Sequence, residues 1–249
     1  MNKPKILLFD IETRPVLGYA WELWDTNIIH VVEQPALLSF AYKWLGEKTI
    51  VKALPDYKEY KKDKYSDKAL VKELWKLFNE ADIIIGQNGD KFDTKVSNTR
   101  FIFHGFKPPP PYKTVDTLKI ARAHFKFKSN RLDDLGEFLG LGRKVKHEGK
   151  DLWIKCMNGD SEAWDRMKVY NKQDVVLLEK IYLVFRPWIK NHPNVGLVAE
   201  SAICPKCGSE KLHSRGLAVT LSAVYKRFQC QDCGGWCRKT KTDLKLANC

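Results

Sequence analysis

The sequence predicts an α/β fold, a mixed sheet flanked by helices, followed by a small C-terminal β ribbon. Three observations predict it. Apolar runs of strand length alternate with segments of helical periodicity from Lys5 to Phe185. Two of those runs, Lys5 to Phe9 and Asp82 to Ile85, are unbroken, as in central strands buried on both faces. Beyond Pro187 the periodicity stops, and two C-x-x-C pairs flank a β-prone stretch.

The elements follow in order. Lys5 to Phe9 reads as the first strand, ending in Asp10. Ala36 to Trp44 and Thr49 to Leu54 are β-prone runs joined by Leu-Gly-Glu-Lys, which predicts a hairpin. From Ser66 to Glu80 the residues Leu70, Leu74, Leu77 and Phe78 recur on one helical face, with Ser66 or Asp67 as the cap. The strand Asp82 to Ile85 stops at Gly86, and a helix from about Phe92 to Phe106 follows. Pro108 to Pro111 is stiff and extended and ends that helix. Tyr112 to Val115 supplies a short strand, and Asp116 caps a helix running to about His124. Arg131 to Leu139 is helical and closes on Gly140. Two more helical stretches, Ser161 to Tyr170 and Lys172 to Phe185, are either separate or continuous. Pro187 and Asn191-His-Pro-Asn break the pattern. The boundary near 187–200 divides the chain into expected domains at 1–190 and 200–245, and 249 residues suffice for one full core and a small module.

Lys and Arg number 43 against 30 Asp and Glu, a net charge of +13. That excess suits a polyanionic partner through counterion release, although lysines such as those between Lys58 and Lys72 can simply face water. No apolar run is long enough to span a membrane, and the N-terminal residues lack the long apolar region of a signal peptide. The chain is therefore expected in the cytoplasm, without membrane contact.

Within this basic chain, acids are concentrated at three islands. Asp10 and Glu12 stand two apart in Phe-Asp-Ile-Glu-Thr, so strand alternation points both carboxylates the same way. Asp93 closes Asn88-Gly-Asp-Lys-Phe-Asp at the mouth of a helix. Tyr170 and Asp174 are four apart on one helical face. Each alone is ordinary: a solvated turn, a helix cap, a surface pair. Together, in this order and separated by two gaps of roughly eighty residues, they describe converging carboxylates. Such a cluster repels itself without cations, and hard oxygen ligands suit Mg²⁺ or Mn²⁺.

These motifs resemble the DEDD, or DnaQ-like, 3′→5′ exonuclease superfamily, with the exonuclease domain of family B DNA polymerases as the nearest likeness. Phe-Asp-Ile-Glu-Thr matches its first motif, Gly86-Gln-Asn-Gly-Asp-Lys-Phe-Asp its second and Tyr170-Asn-Lys-Gln-Asp174 its third. Arg131-Leu-Asp-Asp-Leu resembles a helix the family carries before the third motif, and the likeness covers about residues 5–185. Tyr170 stands four before the last Asp, where five before is Val169, so the chain is similar to the DEDDy subtype; His124 and His147 lie too far along the sequence to fill the alternative role and read as surface or structural histidines. The resemblance implies a ribonuclease H-like sheet and two divalent ions. By it, Asp10 bridges both ions, Glu12 and Asp174 complete the site of the attacking water, and Asp93 serves the second ion, directly or through water. Tyr170 positions that water or the phosphate; an ordinary phenol pKa of about 10 makes it a poor base. Asn88 and Phe92 are candidate contacts to the terminal nucleotide, with Phe92 equally suited to the core. Tyr19 to Trp24 (YAWELW) suits either base stacking or hydrophobic packing.

Cys204-x-x-Cys207 and Cys230-x-x-Cys233, with 22 residues between them, each precede a glycine. Four thiolates in this arrangement select one structural Zn²⁺, and Leu217 to Phe228 has the β-character of a zinc ribbon. Redox C-x-x-C chemistry fits two matched pairs less well. Cys237 is a possible substitute ligand, while Cys156 and Cys249 read as free thiols. Lys206, Lys211, Arg215, Lys226, Arg227, Arg238, Lys239 and Lys241, with Tyr225, Phe228 and Trp236, make the module basic and aromatic. That composition suits nucleic acid, or else a structural or protein-docking ribbon. The leading expectation is a 3′→5′ exonuclease releasing 5′-mononucleotides. The resemblance favours single-stranded or frayed 3′ ends of DNA over RNA, and a prokaryotic cell or phage-infected host. The alternatives are a non-catalytic nucleic-acid-binding protein, or a proofreading subunit docked on a separate polymerase or other replication or repair protein.

Overall fold

The computed structural model describes residues 3–24, 27–197, 199 and 201–241. The expected domain limits at residues 1, 200 and 245, and the thiol of Cys249, lie outside them. A five-stranded sheet runs in the order β5-β4-β1-β6-β7. Its strands are β1 (Ile6–Thr13), β4 (Leu37–Trp44), β5 (Ile50–Ala53), β6 (Ile83–Gly86) and β7 (Lys113–Asp116). β4 pairs antiparallel with both β1 and β5, whereas β1, β6 and β7 are parallel. The expected mixed sheet flanked by helices is therefore present.

Alternation along β1 divides the core. Leu7, Phe9 and Ile11 enter one apolar cluster with α1 (Lys68–Glu80) and α2 (Asp93–Phe103). Leu8 enters another with α3 (Thr117–His124) and α4 (Leu132–Phe138). Asp10 and Glu12, at two and four residues beyond Leu8, fall on that second face. α5 (Lys150–Asn158) precedes α6 (Ser161–Phe185), one continuous helix, which decides between the two alternatives the sequence left open. α6 belongs to both clusters: Ala163, Trp164, Met167 and Tyr170 pack in the first, and Val175, Leu178, Ile181 and Phe185 in the second.

Several details depart from the sequence reading. β1 continues through Thr13, so Asp10 and Glu12 lie within the strand, paired to Ala41 and Ser39, rather than at its end. Asp67 sits at the N-cap of α1 without making a capping bond. Its buried carboxylate instead accepts from Arg100 Nε and Nη2 and from the Leu37 N–H, beside His104. Burial alone would raise its pKa, but these partners hold it below the usual carboxylate value. Asp116 does cap α3, accepting from the Leu118 and Lys119 N–H groups.

β2 (Leu17–Tyr19) and β3 (His30–Glu33) form a separate hairpin that the pattern did not suggest. Trp21 and Trp24 are 84% and 82% exposed, so the hydrophobic-packing reading of this segment does not hold. α5 was also missed, because only Leu152 and Cys156 of its nine residues are buried.

The last sheet, β10-β9-β8, comprises β8 (Leu212–Val219), β9 (Val224–Cys230) and β10 (Trp236–Arg238). The β-prone run expected over 217–228 is broken by a turn in which the Thr220 N–H donates to the Ala223 carbonyl. That turn reverses the chain and carries β9 back toward the first cysteine pair.

Candidate active site

α6 approaches β1 where its packing changes from one core cluster to the other. There Asp10, Glu12 and Asp174 each offer a carboxylate oxygen, all within 4.8 Å of one another. Tyr170 flanks them one turn before Asp174. Asp93 is buried slightly farther off, its Oδ1 accepting the Ile11 N–H at 3.2 Å and so bracing β1 between the two strand acids. The structure thus gathers three of the four expected acids directly and sets the fourth against the backbone that carries them.

The electrostatics are those of a crowded, desolvated cluster. Burial, then Asp93, Glu12 and Asp174, push the Asp10 pKa well up. Burial and Asp174 push Glu12 up to about 8, and burial pushes Asp93 up to about 6. Burial raises Asp174 as well, against the opposing pull of Lys144. The Lys144 ammonium lies 2.6 Å from Asp174 Oδ2 and donates to the Tyr170 hydroxyl at 2.9 Å. Burial lowers its pKa, but Asp174 and Tyr170 outweigh that effect and keep it charged. Burial and the neighbouring Asp174 raise Tyr170, so its phenol stays protonated.

Sequence reasoning missed two groups in this constellation. Asn171 donates to Asp10 Oδ2 at 2.7 Å and accepts from the Ser39 hydroxyl at 3.1 Å, fixing the Asp10 rotamer. Its place inside Tyr-Asn-Lys-Gln-Asp, three before Asp174, was the available signal. Lys144 lies in the loop between α4 and α5, where no periodicity points to it. His147 is also nearer than sequence distance suggested: its ring packs edge-on against Tyr170 with centroids 4.6 Å apart, and against Trp153 at 5.1 Å.

A cleft of about 540 Å³ opens beside Asp10, lined by Asn88, Arg122, Lys128, Arg131 and Lys144 among others. Asn88 adopts a left-handed backbone (φ 62°), and its N–H donates to Asp116 at 2.9 Å, which turns the loop into the cleft. Phe92 is 45% exposed at the start of α2 and therefore does not serve the core. His124 ends α3, beside Phe125.

A family model of the RNase H superfamily, RNase_H_2, matches residues 36–185. The chain belongs to the RNase H superfamily. No curated protein matches it. The matched span includes Asp93, Tyr170 and Asp174 of this RNase H domain; Asp10 and Glu12 precede it and reach the site through β1. Membership in this superfamily supports a nucleic-acid-cleaving hydrolase. No described helix of the chain is long and apolar enough to cross a membrane.

The donor set of this RNase H site fits divalent cations. It consists of hard oxygens, their charges are mutually repulsive, and Asp174 Oδ1 is buried with no hydrogen-bond partner among the described residues. A pH dependence follows. Glu12 and Asp93 titrate in the folded protein at about 8 and about 6, above the ordinary values near 4. Their protonated forms therefore favour folding at low pH, and that contribution is lost as pH rises through 6 and then 8. The metal-free protein should lose thermal stability over this window, and Mg²⁺ or Mn²⁺ should restore it. The metal-induced rise in Tm, read by calorimetry, should grow from pH 5.5 to pH 8. An equal rise at every pH would reject cation binding by these carboxylates.

A second donor set lies near the C-terminus. Cys204, Cys207, Cys230 and Cys233 bring their sulfurs within 4.8 Å of one another, with Cys204–Cys233 at 3.7 Å and Cys207–Cys230 at 3.6 Å. A tetrahedron with bonds of about 2.3 Å has edges of about 3.8 Å, so the set fits Zn²⁺. Cys237 is outside this group of four, and Cys156 is a buried free thiol. Burial pushes the Cys207 and Cys233 thiols up, whereas the Cys233 and Asp232 N–H groups outweigh burial at Cys230 and bring it down to about 7.

Proposed function

We propose that the chain is a DEDDy-type 3′→5′ exonuclease that shortens nucleic-acid strands to 5′-mononucleotides. The convergence of Asp10, Glu12 and Asp174 beside Tyr170 carries this reading. It assigns catalysis to a domain at 1–190 and a zinc ribbon to 200–245, with a single zinc on Cys204, Cys207, Cys230 and Cys233.

In this reading Asp10, Glu12, Asp93 and Asp174 would hold two Mg²⁺ or Mn²⁺ ions, Asp93 directly or through water. Bound cations would acidify a water molecule and neutralise charge on the scissile phosphate. The protein's own groups do the positioning. Asn171 orients Asp10, and the protonated Tyr170 hydroxyl donates to the attacking water or a phosphate oxygen. Lys144, which contacts Asp174 and lines the cleft, would offer its ammonium to the phosphate. Water adds at phosphorus as the P–O3′ bond breaks, leaving a 5′-phosphate on the released nucleotide and a 3′-hydroxyl on the strand.

Arg122, Lys128 and Arg131 suit the backbone of an incoming strand, and Asn88 and Phe92 suit its terminal nucleotide. Tyr19, Trp21 and Trp24, on the hairpin that follows β1, offer exposed rings to unpaired bases. DNA with single-stranded or frayed 3′ ends is the favoured substrate, with RNA as the other polymer to test. The deciding assay digests 3′- and 5′-labelled single-stranded DNA and RNA with Mg²⁺, Mn²⁺ or chelator. The expected result is metal-dependent loss of the 3′ label as mononucleotide, while the 5′ label shortens stepwise. Internal cuts, or binding of every substrate without cleavage, would reject the reading.

A further inference from the structure

We propose that one face of the β8–β10 sheet is a duplex-binding surface that grips the phosphate backbone behind the strand end. The inference shares with the proposed nuclease only the premise that the substrate is nucleic acid. Strand alternation places Tyr225, Arg227 and Gln229 on one side of β9. Pairing sets Trp236 opposite Gln229 and Arg238 opposite Arg227, and His213 of β8 also lies opposite Gln229. Tyr225, Arg227, Trp236 and Arg238 therefore share a face.

Their contacts are reciprocal and diagonal. The Arg238 guanidinium lies 3.9 Å from the Tyr225 ring centroid, and Arg227 lies 4.8 Å from that of Trp236. Arg227 Nε also donates to the Arg215 carbonyl at 3.0 Å. Stacking holds each guanidinium in place at a reduced entropic cost and leaves N–H groups for a ligand.

No acid occurs in the three strands. The single acid between Lys211 and Lys241, Asp232, is already engaged by Lys211 at 3.3 Å and the Ser209 hydroxyl at 2.7 Å. Among the described residues, Arg215, Arg227 and Arg238 have no carboxylate partner. A cationic face with no counter-charge among the described residues is complementary to phosphate. Each guanidinium lies over its ring, so charged N–H groups front this face, although Trp236 keeps 42% of its surface exposed. The face suits a duplex, which turns its bases inward and presents its backbone. Lys206, in the first cysteine knuckle, donates to the Pro187 carbonyl just beyond α6, so the ribbon is tethered at the end of that helix.

The test measures binding of the full chain carrying Asp10→Asn, so that probes are not cut. One probe is a DNA duplex with a 3′ overhang and the other a single strand matching the overhang. Arg227→Ala with Arg238→Ala should weaken duplex binding about tenfold near 0.1 M salt and lower the salt slope by about 1.8, two phosphate contacts at about 0.9 each. Single-strand binding should stay unchanged, and Arg227→Lys with Arg238→Lys should retain the slope. Should the double alanine variant lose zinc, Arg238→Gln alone should lower the slope by about 0.9. An unchanged duplex slope in zinc-loaded protein, or an equal loss on the single strand, would overturn the assignment. Binding is read without cleavage, so a chain that fails the nuclease assay can still pass this one.

Discussion

Asp10→Asn should abolish cleavage while making the metal-free protein more stable at pH 8. Asp10 sits at the centre of the acidic cluster, with Asn171 fixing its orientation. Asparagine keeps the shape and an oxygen to accept from Asn171 but removes the charge that binds a cation. If cation stabilisation at this position is worth about 5 kcal/mol, the rate falls by about 10³- to 10⁴-fold, at about 1.4 kcal/mol per decade. The same change removes a buried carboxylate whose ionisation is opposed by burial and by Asp93, Glu12 and Asp174. Tm at pH 8 without metal should therefore rise, and the metal-induced increment should largely vanish. Loss of activity accompanied by a lower Tm would instead indicate damage to the fold, and retained activity would remove Asp10 from the chemistry.

Cys204→Ser with Cys207→Ser should release the bound zinc and unfold the β8–β10 sheet while the five-stranded domain stays folded. The reason lies in what that sheet lacks. Across its three strands only Cys230 is buried, so no apolar core holds them together. In the proposed zinc ribbon, metal ligation, worth about 10–16 kcal/mol in small zinc modules, would supply that stability. Metal analysis should find about one zinc per wild-type chain and none in the variant. Amide exchange in the variant should accelerate across 212–238 and stay slow in β1, β4 and α6. Protection retained over 212–238 after zinc loss would mean that the strands are held by something other than the four thiolates.

The parts of this molecule that were legible in the sequence are those whose chemistry is local and periodic. The unbroken runs around Leu7 and Ile84 gave the central strands, and the turn around Gly46 gave the β4–β5 hairpin. Alternation placed Asp10 and Glu12 on one side, and helical spacing placed Tyr170 with Asp174. What was not legible depends on distant partners or on surface. α5 buries two side chains and the β2–β3 hairpin almost none, so neither leaves a hydrophobic period to read. Lys144 enters the site from a loop, and only the folded chain shows that its ammonium meets Asp174. Asp67 looked like a cap because it stands at a helix start, where a carboxylate can accept from the unpaired N–H groups of the first turn. Arg100 of α2 and His104, just past its end, claimed it instead.

That α6 runs unbroken through both apolar clusters has a consequence for motion. Tyr170, Asn171 and Asp174 sit where the helix passes from one core to the other, so they cannot detach without disrupting both. Opening at this point should carry nearly the full cost of unfolding the domain, and its amides should be among the slowest to exchange. Accommodation of different strand ends then falls to the periphery: the loop bearing Lys144 and the exposed hairpin after β1. The molecule separates a fixed anvil from adjustable jaws, and changes in substrate preference should arise in the jaws.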